Sequence, residues 1–206
     1  FGLTFSPQFT LIFVNIAAAA AGGDFALNCY APVSYAISVV LLLLQGVSDG
    51  CQPLVSREYG RGKPASARSV RNMAFLFAVG ISLVCAAVMF LVRNVISGVF
   101  GASAEVSAEV GRILPVFIAG FVFVAFSRIA TAFFYATDSS RRAYIIIYGE
   151  PVCLLVLLLF LPDLLGVFGV WLAVPLSQAV LALAGALLIL LYDRREKKKQ
   201  SQPENV

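Results

Sequence analysis

The sequence predicts an all-α integral membrane protein, a six-transmembrane-helix bundle with a short basic tail. Three observations predict it. The chain is 60% hydrophobic and only 13% charged, with a mean hydropathy of +0.92, whereas a soluble domain is about 25% charged. Six long apolar runs occupy most of the chain, and a helix needs about 20 such residues to cross a bilayer. The alternation of apolar and polar residues that marks a membrane β-barrel is missing from these runs. Backbone groups in lipid must be satisfied within one segment, so each run reads as a helix.

The expected spans are 1–21, 25–47, 73–92, 113–137, 143–161 and 164–192, forming one domain over 1–192. Span one ends at the Gly22-Gly23-Asp24 break. Span two holds Pro32 and runs into Gly46–Gly60, where Pro53 is expected to stop it and Gly60 to permit a turn. Span three follows a basic loop. Span four opens near Pro115, span five contains Pro151, and span six contains Pro175. Each proline removes a backbone bond and tends to kink its helix. Gly80, Gly120, Gly169 and Gly185 offer small surfaces for close helix approach. The tail 193–206 is polar and is expected to be disordered. Its basic start would anchor the last helix or meet anionic lipid headgroups.

Charge sets the expected topology. Connection two carries Arg57, Arg61, Lys63, Arg68 and Arg71; connection four carries Arg141 and Arg142; the tail carries Arg194, Arg195, Lys197, Lys198 and Lys199. These are twelve of the fifteen basic residues. Connections one and five carry none. The positive-inside rule therefore places the even connections, the N-terminal end and the C-terminal tail in the cytoplasm of a multi-pass protein of the inner, cytoplasmic membrane. The net charge of +4 is read as topology, not as a nucleic-acid patch, because it is split among three separate elements.

Several chemistries are excluded or unsupported. The chain has no His, which removes a Ser-His protease, a His-ligated zinc site and a His proton relay. Cys29, Cys51, Cys85 and Cys153 have no metal-like spacing and read as small apolar residues in helix packing. No metal, cofactor or enzymatic activity is expected. The chain lacks a starting Met and opens inside an apolar run, so it reads as a piece of a longer protein.

Four motifs carry a family resemblance. Asn15 is followed by Gly22-Gly23-Asp24 and then Ala26 to Tyr30. Gln52-Pro53-Leu54 precedes Tyr59-Gly60. Phe134-Tyr135-Ala136 leads through a polar turn to Tyr148-Gly149-Glu150-Pro151. Leu165-Gly166-Val167-Phe168-Gly169-Val170-Trp171-Leu172-Ala173 precedes Pro175. In this order they resemble the second half of the multidrug and toxic compound extrusion (MATE) transporters. The resemblance implies one half of a pseudo-twofold twelve-helix transporter, helices seven to twelve. It implies antiport of drug-like or organic cationic compounds, coupled to H+ or Na+, with the membrane lipid, a small-molecule substrate and a missing N-terminal six-helix half as partners. Some members carry a cation-binding acid on the seventh and tenth helices. Span one here has no acid and span four has only Arg128, which leaves the coupling ion open. The rivals are a flippase for a lipid-linked precursor or polysaccharide, and a fragment inactive on its own.

Two charges lie deep within spans. Arg128 is about nine residues before the end of span four, and Glu150 about nine after the start of span five. Antiparallel neighbours joined by a tight turn bring equal offsets to equal depth, about 13 Å inside. Buried ionisable groups pair or line a wet cavity, so an Arg128–Glu150 contact is expected. It would either lock the two spans together or form a proton- or cation-sensitive switch at Glu150, loosened by Pro151. Gln8, Asn15 and Tyr35 are the expected cavity-lining residues, the first two sharing a helix face. Gln52, Pro53 and Gly60 are read as a structural loop motif.

Overall fold

The computed structural model describes the backbone of residues 2–201 and the side chains of residues 7–196. Its helices are α1 (Gly2–Gly60), α2 (Pro64–Val92), α3 (Ala104–Ile118), α4 (Phe121–Ala136), α5 (Ser140–Leu165) and α6 (Val167–Ser201), with a 3-10 turn at Ile96–Phe100. Four helices are long and apolar enough to cross a membrane, or five with the α3–α4 pair taken as one bent span. The sixth span comes from α1, which breaks at Gly23. Pro7 and Gln8 before the break line the same cavity as Ser38 and Leu41 after it. The chain therefore doubles back at Gly23, and α1 is two antiparallel limbs.

That reversal needs glycine. Gly23 sits at φ 61° and ψ −153°, a region of backbone space that is nearly glycine-only. Its neighbour Gly22 packs so closely that a Cβ there would lie 2.7 Å from Val167. The α5–α6 turn is built the same way. Gly166 has φ 60°, and a Cβ on Gly169 would lie 2.2 Å from the Leu161 carbonyl oxygen. The Gly166–Gly169 motif is thus a tight reversal that abuts the α1 reversal.

Several boundaries differ from the sequence expectation. Pro53 does not stop span two, because α1 continues to Gly60 with Pro53 exposed inside it. A proline frees only the carbonyl one turn earlier, which an exposed helix tolerates. The turn itself uses Gly62, with φ 71°. Pro162 lies inside α5 rather than in a connection. The expected span four is two helices bent by 41° around residues 119 and 120. α6 continues helically to Ser201, so the first part of the tail expected to be disordered is helix; residues 202–206 lie outside the described residues.

The two ends of the bundle differ in kind. At one end the starts of α2 and α5 meet the ends of α4 and α6. Arg71 bonds Asp193, with its Nη1 donating to Oδ1 at 3.0 Å and Nη2 to Oδ2 at 2.9 Å. Its guanidinium also covers the Phe133 ring at 4.6 Å. Arg142 lies 5.1 Å from the Tyr192 ring, which meets Phe133 edge-on. Connections two and four and the tail therefore share one end, as their charges required. At the other end the reversals at Gly23 and Gly166 meet.

Two apolar clusters fill the bundle. One, at the basic end, includes Leu44, Val55, Ile129, Phe133 and Phe134. The other includes Val14, Val33, Leu114, Leu154 and Trp171. Ile37 and Ile118 pack against both.

Candidate functional site

Between the two clusters lies a cavity of ≈ 120 Å³. It is bounded by both limbs of α1 and by residues of α3, α4, α5 and α6, while α2 contributes none. Its walls include Tyr30, Phe117 and Phe121; its polar groups include Gln8, Thr10, Arg128, Glu150 and Gln178. A wider groove of ≈ 440 Å³ continues from it along α1, sharing Pro7, Gln8, Ser38, Leu41 and Arg128 and adding Gln45 and Asp49.

Helix interruptions converge here. Pro7, Gly120 and Pro175 line the cavity, and Pro151 follows Glu150 directly. Irregular backbone at membrane depth is tolerated where it lines a cavity and its groups find partners inside the protein. Gly120 also permits close contact: a Cβ there would lie 3.4 Å from Pro175 and 3.1 Å from the Phe117 carbonyl. The α3–α4 bend and α6 thus pack backbone to backbone beside the cavity.

Arg128 and Glu150 both line the cavity and a smaller lobe beside it. Amides from neighbouring helices reach both charges. Arg128 Nη1 donates to Gln45 Oε1 at 3.2 Å, and Gln45 Nε2 donates to Asp49 Oδ1 at 2.6 Å. Gln178 Nε2 donates to Glu150 Oε1. Ser48 Oγ donates to the Arg128 carbonyl at 3.2 Å, tying α1 to α4. Gln45 and Gln178 come from helices that neighbour the two charges.

Of the expected cavity residues, Gln8 lines both the cavity and the groove. Asn15 instead donates to its own helix at the Leu11 carbonyl, 2.8 Å away, and is not among the cavity-lining residues. Tyr35 is 63% exposed and stacks on Phe100 at 5.5 Å, turned away from the cavity. Gln52, Pro53 and Gly60 lie in the last turns of α1, outside it. Gln45, Asp49, Gln178, Ser127 and Tyr30 were not singled out as site residues. Only the polarity of Gln45, Ser127 and Gln178 within apolar runs marked them in the sequence.

Two hydroxyls at the site have no hydrogen-bond partner, Thr10 Oγ1 and Ser127 Oγ. Ser127 is 8% exposed and lines the lobe with Glu150 and Gln178. Cys29, Cys51, Cys85 and Cys153 are all free.

The MatE family model matches residues 4–159. A MATE solved in a bent conformation superposes with a TM-score of 0.88 at 17% identity, covering 98% of this chain and 45% of that one. An outward-facing multidrug resistance MATE family transporter of the MOP superfamily gives 0.84 at 18% identity, covering 94% of this chain and 44% of that one. A MOP superfamily transporter from Pyrococcus furiosus, described as having a binding pocket of reversed polarity, gives 0.84 at 18% identity, with 97% and 44% covered. These likenesses establish the fold, and the chain spans less than half the length of each. No curated protein matches the chain in sequence.

Proposed function

The chain belongs to the MatE family of transporters, and we propose that it forms the substrate-binding half of a secondary antiporter that exports drug-like or organic cationic compounds. It is a multi-pass membrane protein, one half of a twelve-helix architecture. The observation that carries the reading is the central cavity, where broken helices, aromatic rings and amide-held charges converge away from the lipid-facing α2. A missing N-terminal six-helix half would complete the cleft, and rocking of the two halves would expose it to each side in turn. The basic end faces the cytoplasm of the inner membrane, with both ends of the chain on that side.

Glu150 is the coupling candidate, for H+ or Na+. A buried carboxylate that accepts from the Gln178 amide changes its interactions when it binds a proton or a cation, and Pro151 beside it lowers the cost of local bending. The test is efflux by the whole protein in a host stripped of its own exporters. Drug protection is expected, and Glu150→Gln should abolish gradient-driven export while membrane expression stays normal. Export that survives in Glu150→Gln would remove Glu150 from the coupling mechanism. One rival is flipping of a pyrophosphate-linked lipid, against which a single cavity arginine accompanied by Glu150 argues. Rescue of a flippase-depleted strain without drug protection would replace the export reading with that one.

A further inference from the structure

We propose that the basic end carries a binding site for the headgroup of an anionic phospholipid. It lies at the end of α6, where Arg68 of α2 and Arg142 of α5 flank that helix. The site is separate from the central cavity and does not depend on the export reading.

Charge is divided unevenly between the two ends. Residues 50–72, 138–142 and 193–206 hold twelve basic residues against five acidic ones. Residues 22–24, 93–112 and 162–163, at the other end, hold two against four. Topology requires only that the excess stay on one side, where water can solvate it. Part of it is instead built into the packed helix ends. Asp193 clamps Arg71 and so ties the start of α2 to α6. Arg68 lies one turn earlier on α2, and residues three apart are neighbours on a helix surface. Because α2 leaves this end and α6 arrives at it, Arg68 stands level with the residues that follow Asp193, where Arg194 and Arg195 lie.

Arg68 itself points to an anion. Its Nη1 is shut off from solvent and has no hydrogen-bond partner among the described residues. A donor that water cannot reach is costly to leave without an acceptor. Arg142 is held in place on the other flank. Its guanidinium lies 5.1 Å from the Tyr192 ring and 5.9 Å from the Phe134 ring, and Nη1 donates to Ser139 Oγ at 3.2 Å. Neither α2 nor α5 has a side-chain cap or an acidic residue in its first turn. The positive end of each helix dipole therefore meets cations, where an anion is favoured. A phosphate diester suits all of these groups, because its oxygens accept from guanidinium forks and its charge offsets both helix ends. A lipid is its source, because basic groups at the ends of membrane spans attract anionic headgroups. One turn beyond Arg142, Ile145 is exposed on α5, and Val152 is exposed further along. Acyl chains can follow that face into the bilayer.

The test is native mass spectrometry of the purified protein in neutral detergent, titrated with short-chain phosphatidylglycerol. Phosphatidylglycerol should bind, and phosphatidylcholine of the same chain length should not. Arg68→Gln and Arg142→Gln should each weaken binding roughly fivefold, the worth of one basic group at a membrane surface. Arg57→Gln removes the same charge from an exposed position at the same end. It should weaken binding by less than about twofold, because an exposed charge acts only through a screened field. Arg68→Lys keeps the charge and should keep most of the binding, which preserves the test if Arg68→Gln fails to fold. Equal losses in Arg57→Gln and Arg68→Gln would overturn the site and leave only a diffuse basic surface. Phosphatidylcholine bound as tightly as phosphatidylglycerol would overturn it as well. Displacement of the lipid by an equal concentration of inorganic phosphate would overturn the lipid as the ligand.

Discussion

Arg71 and Arg128 are both more than nine-tenths buried, at 4% and 8% exposure, yet their surroundings differ in kind. Arg71 meets Asp193 through two parallel hydrogen bonds and lies over Phe133. Its charge is cancelled by a carboxylate in a geometry that a guanidinium fork fits best. Arg128 donates to a neutral glutamine at the rim of a cavity. A carboxylate clamp at a packed helix end fixes helices, whereas a guanidinium on a cavity wall stands within reach of what enters the cavity. The same residue type is therefore a rivet at the basic end and a cavity-lining group in the middle.

The sharpest way to break this comparison is to remove the rivet. Arg71→Ala strands Asp193 beside an apolar cluster and should cost about 3 kcal/mol, the lower part of the range for breaking a buried pair, because Asp193 is partly exposed. Denaturant unfolding of the chain in mixed micelles would measure it. Pairing Arg71→Met with Asp193→Leu should recover most of the loss, since a buried ion pair replaced by well-packed apolar groups is often neutral. Failure to recover would mean that the charges do more at this end than hold helices together.

The opposite end should yield a somewhat smaller effect without any change at the cavity. Gly23→Ala forces an L side chain into φ 61°, ψ −153° and should cost about 2 kcal/mol. Export per folded molecule of the whole protein should stay the same. A change in export larger than the stability loss explains would show that the reversal at Gly23 positions the cavity and does not merely close the hairpin.

Arg128→Gln should reverse the order of effects seen for Arg71. Loss of its hydrogen bond to Gln45 should cost about 1 kcal/mol of stability. Loss of export by the whole protein should dominate. A stability loss equal to that of Arg71→Ala would place Arg128 among the rivets and erase the distinction.

Much of this contrast was written in the sequence, but unevenly. The spans are legible because a run of apolar residues in lipid has one low-energy backbone. The clustering of basic connections at one end is legible because charge sorts by side. The depth match of Arg128 and Glu150 follows from helical rise and a short turn. Their partners do not, because Gln45 and Gln178 arrive from helices whose rotation the sequence leaves unspecified. Arg71 and Asp193 are 122 residues apart, and both sit in stretches that composition alone reads as surface loop and tail. Pro53 misleads for a related reason. A rule about isolated helices treats proline as a stop, but an exposed position in a long packed helix absorbs one missing bond.

Tyr35 is the smallest test and the one that separates exposure from function. Tyr35 is expected at the cavity, yet its ring stacks outward on Phe100, 5.5 Å away. A stacked but 63% exposed ring holds little apolar area, so Tyr35→Ala should cost about 0.5 kcal/mol. The whole protein carrying the variant should export as the parent does. A loss of export at unchanged expression would mean that the ring swings inward when the cavity is occupied. The boundary between wall and cavity would then be set by the ligand, and the outward-facing surface of α1 would belong to the site.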